Sequence, residues 1–142
     1  LGFNERELQL MHDVKAVSDR LSGVALMAVV VAIASGWLLV RKGRNALLWG
    51  ALSDGGLLTL LMLIGLSALM LLDWNQFFTG FHDIFFAPGS WVFPTSDTLI
   101  RLFPLEFWQN AGIIIVIFVS LVALFFALVG RMYQRHLDRK AQ

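Results

Sequence analysis

The sequence has 142 residues, of which 58% are apolar and 15% are charged, and its formal net charge is +1. This composition is too apolar for a soluble domain of the same length. Because the chain has no cysteine, disulfides, thiolate catalysis and cysteine-ligated zinc are excluded. Its basic residues flank apolar runs without stacking aromatic residues around them, which argues against nucleic-acid binding.

The first predicted element is an amphipathic helix over residues 3–21. Its apolar side chains, Leu10 and Val14 among them, recur at helical spacing, and His12 falls on the opposite, polar face. Ser22 and Gly23 follow it. If the chain bends at this pair, the helix lies along the membrane surface; if it does not, the helix extends the first spanning segment outward.

Three uncharged apolar runs are each long enough to cross a bilayer as a helix. They cover residues 21–40, 55–72 and 107–130. Residues 53–56 are predicted to be a break, with Asp54 either capping the next helix or acting as an intramembrane carboxylate. The predicted fold class is all-α. It is a polytopic membrane bundle of three spanning helices with an N-terminal amphipathic helix and an outer cap of short helices, in one membrane domain.

The segment 73–108 holds most of the aromatic residues of the chain. Phenylalanines spaced four residues apart predict a short helix to about residue 86, and the Pro-Gly pair at 88–89 predicts a turn. Asp97, or the serine before it, can cap a second short helix over residues 98–103. This segment is therefore predicted to form a set of short helices between two spans.

Basic residues indicate the orientation in the membrane. Arg41, Lys42 and Arg44 lie between the first two runs, and further basic residues follow the third. Since positive flanks stay in the cytoplasm, the C-terminal tail 131–142 is predicted to be cytoplasmic. Residues 1–20 and 73–108 are then extracytoplasmic. The expected location is the plasma (inner) membrane.

Histidines are the strongest candidates for chemistry. His82 lies in the aromatic stretch 81–86, and His12 is also predicted on the outer side. An imidazole can take a proton from one group and give one to another near neutral pH. Each could instead be an interfacial or solvated side chain, which is the favoured reading of His136 on the tail. No ligand spacing indicates a metal site, although His12, His82 and a carboxylate could in principle form one.

The residues around these histidines resemble a known family. The resemblance rests on Glu7 followed by Met11-His12-Asp13-Val14-Lys15, and later on Phe81-His82-Asp83-Ile84-Phe85-Phe86, Trp91-Val92-Phe93-Pro94, Asp97-Thr98-Leu99-Ile100-Arg101-Leu102-Phe103-Pro104 and Phe107-Trp108. This pattern is similar to that of the bacterial integral-membrane family that includes the lipoprotein intramolecular transacylases. The similarity covers nearly the whole chain and is most specific over residues 81–108.

The resemblance implies a membrane acyltransferase that needs no cofactor or metal. Such enzymes move an acyl chain from the sn-2 ester of a lipoprotein's diacylglyceryl-cysteine to the α-amine of that cysteine. The implied partners are a diacylated lipoprotein and the phospholipid bilayer. His82 is the implied general base and acid, and His12 assists it or stabilises the oxyanion. Further candidates for contacts to the substrate are Arg101, Asn75, Trp91 and Asp97.

Two features depart from the family pattern. Family members usually carry a further N-terminal spanning helix and an outer segment, which this sequence does not contain. In addition, the first histidine of the family directly precedes the methionine that Met11 matches. Leu10 occupies that place here, and His12 lies two residues later, about 200° around a helix.

Two other functions stay open at this point. The chain could be a non-catalytic membrane protein that binds lipid or lipoprotein, or a small subunit of a complex, and Leu10 favours this reading. It could also be a bis-histidine haem or quinone carrier, although both outer histidines lie outside the spans. A cavity shared by His12 and His82 would favour the enzyme.

Overall fold

The computed structural model describes residues 2–140, and this part of the chain is all-α, without a strand. Its helices are α1 (Glu5–Arg41), α2 (Asn45–Leu72), α3 (Trp74–Phe85), α4 (Thr98–Leu102) and α5 (Leu105–Lys140). Helices α1, α2 and α5 are long and apolar enough to cross a membrane. The predicted fold class, with three spanning helices and short helices between the second and third, is confirmed.

Helix α1 contains both the predicted amphipathic helix and the first span. It runs without interruption through Ser22 and Gly23, so the amphipathic part extends the span rather than bending away from it. A single glycine costs a helix only about 1 kcal/mol relative to alanine, which is too little to break one flanked by good helix formers.

The predicted break at residues 53–56 is wrong, because α2 continues through all four residues. Asp54 is therefore exposed in the middle of a helix and caps nothing. Ser53 and Gly56 make a close contact with a neighbouring helix instead of forming a turn.

This contact lies between α2 and α5. A Cβ added to Gly56 would lie 2.5 Å from the carbonyl oxygen of Ala123, and one added to Gly130 would lie 2.6 Å from that of Trp49. Small residues of this kind let two helix backbones approach closely in membranes. We call this contact, together with Ser53 and Ala127, the small-residue seam.

The residues cluster into two compact units. The first combines the chain up to Leu26 with Leu69–Ile113, and the second combines Met27–Ala68 with the chain from Ile114 onward. The prediction of a single membrane domain stays a prediction. The small-residue seam belongs to the second unit.

The segment between α2 and α5 is built from well-defined caps and turns. Asp73 caps α3, because its Oδ1 accepts a hydrogen bond of 2.9 Å from the Gln76 N–H. After α3, the Ser90 N–H donates to the Ala87 carbonyl (3.0 Å), and Gly89 has φ of 77°, a conformation that favours glycine. The predicted short helix ending near residue 86 and the predicted Pro-Gly turn are both confirmed.

Candidate functional site

The first unit contains a cavity of about 620 Å³. Residues of α1, α3, α4 and the start of α5, together with residues 91–93, line it. Most of these side chains are aliphatic or aromatic, and the polar ones are Lys15, Ser18, His82 and the indole of Trp91. Its volume lies within the range of roughly 300–1,000 Å³ that is typical of ligand sites.

His82 lies in the wall of this cavity and is half-buried. Helix α3 places Phe78, His82 and Phe86 at intervals of four residues on the face that lines the cavity. The imidazole packs against the ring of Phe78, with centroids 4.1 Å apart, and against that of Trp91 at 4.7 Å. These neighbours restrict the ring to one orientation.

A main-chain contact determines which nitrogen of His82 is left without a partner in its own helix. Its Nδ1 lies 2.7 Å from the carbonyl oxygen of Phe78. A carbonyl oxygen can only accept, so this hydrogen bond requires a proton on Nδ1. In the neutral ring, Nε2 then carries the free lone pair and can accept a proton from a substrate.

Asp83 acts on Trp91 and not on the imidazole. The Trp91 Nε1–H donates a hydrogen bond of 3.1 Å to Asp83 Oδ1. Because Trp91 packs on His82, this bond holds one wall of the histidine's pocket. Trp91, a predicted substrate contact, therefore presents its ring to the cavity while its N–H is already bonded.

The structure does not bring His12 to the cavity. Its side chain is exposed and is not among the lining residues, whereas Leu10, Met11 and Val14 are. Successive residues of a helix are 100° apart, so the face that carries Leu10 and Val14 turns His12 away. The predicted catalytic role of His12 stays a prediction without support from the cavity geometry.

The remaining candidates lie outside the lining. Arg101 and Asn75 are exposed. Asp97 is partly buried and accepts a hydrogen bond of 3.3 Å from the Nδ2 of Asn4. Within residues 2–140, Arg101 and Asp97 form no ion pair. Their predicted contacts to the substrate are not tested by the structure.

Glu7 is part of the family pattern in the sequence, but the sequence analysis assigned it no role. It is 1% exposed, and its Oε2 accepts a hydrogen bond of 2.7 Å from the Asn4 N–H. The Asn4 Oδ1 in turn accepts one of 2.9 Å from the Glu7 N–H. This reciprocal pair is a capping box, which the Asn-x-x-Glu spacing at residues 4–7 could have predicted.

Metal-binding residues do not cluster in the part of the chain that the structure describes. Across residues 2–140, no three His, Asp or Glu side chains form a group that could hold a metal ion. The cavity wall offers one imidazole, that of His82.

Comparison with known proteins identifies the family of the chain. The chain matches the family described as lipoprotein intramolecular transacylase Lit over residues 1–108. It is also 29% identical over 135 residues to an uncharacterized protein of Aquifex aeolicus (strain VF5), covering 93% of this chain and 59% of that relative. The chain therefore spans about three-fifths of the relative's length. No solved structure matches it. Since the family match covers most of its residues, the chain belongs to the lipoprotein intramolecular transacylase family.

Proposed function

We propose that this protein transfers an acyl chain within a lipoprotein, from the sn-2 ester of the diacylglyceryl group to the α-amine of the N-terminal cysteine. Membership of the transacylase family supports the reaction class. The observation that carries the proposal is the position of His82, with Nε2 available in the wall of a mainly apolar cavity.

The proposed reaction needs one group that both accepts and returns a proton. An α-amine has a pKa of about 8, so near neutral pH a fraction of it has lost its ammonium proton to solvent and is nucleophilic. As this neutral amine attacks the ester carbonyl and the new C–N bond forms, His82 Nε2 takes one of its two remaining N–H protons. When the C–O bond to glycerol breaks, the imidazolium returns that proton to the departing oxygen. The Phe78 carbonyl holds Nδ1–H throughout and stabilises the charged ring.

The role of the cavity is to position the substrate, and its wall supplies no further reacting group in this proposal. Both reacting groups belong to one substrate, so fixing the acyl chain lowers the barrier by bringing ester and amine together. Apolar walls around a single imidazole suit an acyl chain whose ester lies next to His82. The basic residues in the last turns of α1 and α5 support an extracytoplasmic position for this site.

His12 is proposed as an assisting group on the basis of the sequence resemblance alone. It lies on α1 and is exposed, while Leu10 takes the place on the cavity side. Replacing each histidine in turn tests the acid–base role of His82 and the assisting role of His12 separately.

The test is conversion of diacyl to N-acyl lipoprotein in a strain that lacks this activity, measured by mass spectrometry of the lipoprotein N-terminus. His82→Ala is expected to lower the conversion rate by roughly 10²–10⁴-fold, the usual contribution of general acid–base catalysis. His136→Ala, an exposed histidine of α5, is the matched control and should leave conversion unchanged. Full conversion by His82→Ala would end the catalytic assignment. The same result for His12→Ala would remove only the assisting role.

A second candidate is a non-catalytic protein that binds diacylated lipoprotein. Leu10 favours it, because an apolar side chain lies on the cavity face of α1 and the cavity wall offers one imidazole. This function predicts that the unmodified chain binds a diacyl lipopeptide but gives no N-acyl product in the same strain. The bis-histidine carrier is not proposed, since His12 does not line the cavity.

A further inference from the structure

Glu7 is a buried acid that the proposed transfer step does not use. Only 1% of the residue is exposed, although a carboxylate is costly to bury without partners. Its Oε2 completes the capping box of α1, as described above. Its other oxygen has a different partner, far away in the sequence.

The Oε1 of Glu7 accepts a hydrogen bond of 2.6 Å from the Leu99 N–H. This N–H belongs to the first turn of α4, where no partner within the helix exists for it. The side chain of Asp97, which precedes α4, makes no capping bond. One carboxylate therefore satisfies the starts of both α1 and α4.

Further contacts join the N-terminal end of α1 and the residues just before it to residues 92–98, which lead into α4. The Thr98 Oγ1 donates to the Gly2 carbonyl at 3.1 Å. The Arg6 guanidinium lies 5.2 Å from the centroid of the Phe93 ring and donates to the Val92 carbonyl at 3.3 Å. Arg6 is exposed and Thr98 is partly buried, so these contacts are weaker than the bond of the fully buried carboxylate.

The two segments held together by Glu7 both contribute residues to the cavity lining. Helix α1 contributes Leu10 and Met11, and α4 with its C-cap contributes Leu99, Ile100 and Phe103. Helix α4 has five residues, so its own hydrogen bonds hold it weakly. Its position relative to α1 depends on bonds such as that from Leu99 to Glu7.

We propose that Glu7 is a positioning residue that fixes the α4 wall against α1 and thereby sets the length of acyl chain that the cavity accepts. This inference rests on the proposed function, because it takes the cavity occupant to be an acyl chain. Glu7 touches neither the substrate nor the reacting atoms in this assignment.

Glu7→Gln is the sharpest variant, because it keeps the size of the side chain and replaces one acceptor oxygen by a donor. That NH₂ group must face either the Asn4 or the Leu99 N–H, so one of the two bonds is lost. The substrates are two lipopeptides, each carrying two palmitoyl or two lauroyl chains. For Glu7→Gln, kcat/KM on the palmitoyl peptide is expected to fall about tenfold, and the palmitoyl-to-lauroyl ratio is expected to approach unity.

The palmitoyl-to-lauroyl ratio of kcat/KM distinguishes a positioning role of Glu7 from a simple loss of folded protein. Glu5→Gln, an exposed carboxylate in the same helical turn, is the matched control and should keep both the rate and the ratio. A lower amount of folded protein reduces both rates by one factor and leaves the ratio at its wild-type value, which would overturn the inference. If Glu7→Gln does not fold, Thr98→Val decides: a smaller shift of the ratio in the same direction supports the inference, and an unchanged ratio overturns it.

Binding measurements in nanodiscs distinguish this inference from the proposed function. If the wild-type protein prefers one chain length in its Kd but transfers no acyl group, the proposed reaction fails while the positioning role is still tested by the Kd ratio of Glu7→Gln. If the wild-type protein binds both lipopeptides with equal Kd and turns them over equally, the cavity does not select chain length and the inference is wrong.

Discussion

The two compact units differ in the residues at which their helices make close contact. In the first, rings such as Phe78, His82 and Trp91 stack around a cavity, with centroids 4.1–4.7 Å apart for the two contacts of the histidine. In the second, Gly56 and Gly130 bring helix backbones into direct contact. Bulky rings hold main chains apart and leave space between them, whereas glycines remove that space. The two titratable side chains that line this cavity, His82 and Lys15, both lie in the unit packed by rings.

The small-residue seam offers the largest expected effect on the amount of folded protein. Gly56→Ala places a methyl group 2.5 Å from a backbone oxygen that cannot rotate away, and is expected to destabilise the protein by about 1–3 kcal/mol. The measurement is the thermal unfolding midpoint in detergent.

The neighbouring Gly55→Ala is the matched control for this variant. Nothing lies within 4 Å of a Cβ at Gly55, and alanine favours helix by up to about 1 kcal/mol, so its midpoint should stay level or rise. Equal midpoints for the two variants would show that close backbone contact does not hold the second unit together.

The ring-packed unit is expected to lose activity before it loses stability. Trp91→Ala removes a ring from the face of His82 and is expected to lower the transacylation rate about tenfold, because the imidazole gains freedom. Trp91→Phe keeps a ring but loses the bond to Asp83, and should fall between wild type and alanine. An alanine variant as active as wild type would show that the ring does not orient His82.

The smallest expected effect concerns a single hydrogen bond in the seam. The Ser53 Oγ–H donates to the Ala127 carbonyl at 3.1 Å. Ser53→Ala should cost about 0.6 kcal/mol, the average for such bonds between membrane helices. Thr59→Ala, whose hydroxyl bonds within its own helix, is the control for loss of a hydroxyl. A loss of several kcal/mol of unfolding free energy for Ser53→Ala alone would mean that this bond, rather than close packing, stabilises the seam.

The elements governed by local chemistry could be predicted from the sequence. Apolar length predicted the spans, and the four-residue spacing of phenylalanines predicted α3. The apolar stripe that contains Leu10 and Val14 placed His12 on the opposite face, as the structure has it. These features depend on neighbours within a few residues along the chain.

Features that depend on distant partners could not be predicted. In the sequence, Gly56 predicts a helix break, and only its contact with Ala123 explains why a glycine lies within α2. Asn4 and Glu7 form a recognisable capping box, but nothing in their spacing indicates that the other oxygen of Glu7 binds Leu99. Without a contact map, the sequence therefore identified His82 but not the acid that organises the cavity around it.

The hydrogen bond that orients His82 comes from the main chain of its own helix, at Phe78. Every amino acid has this carbonyl group, so substitution at position 78 changes the stacking ring but leaves the acceptor in place. As long as α3 stays helical, substitutions at other positions therefore leave the proton of His82 on Nδ1. Natural variation can then change the shape of the cavity without changing which nitrogen of His82 carries the proton.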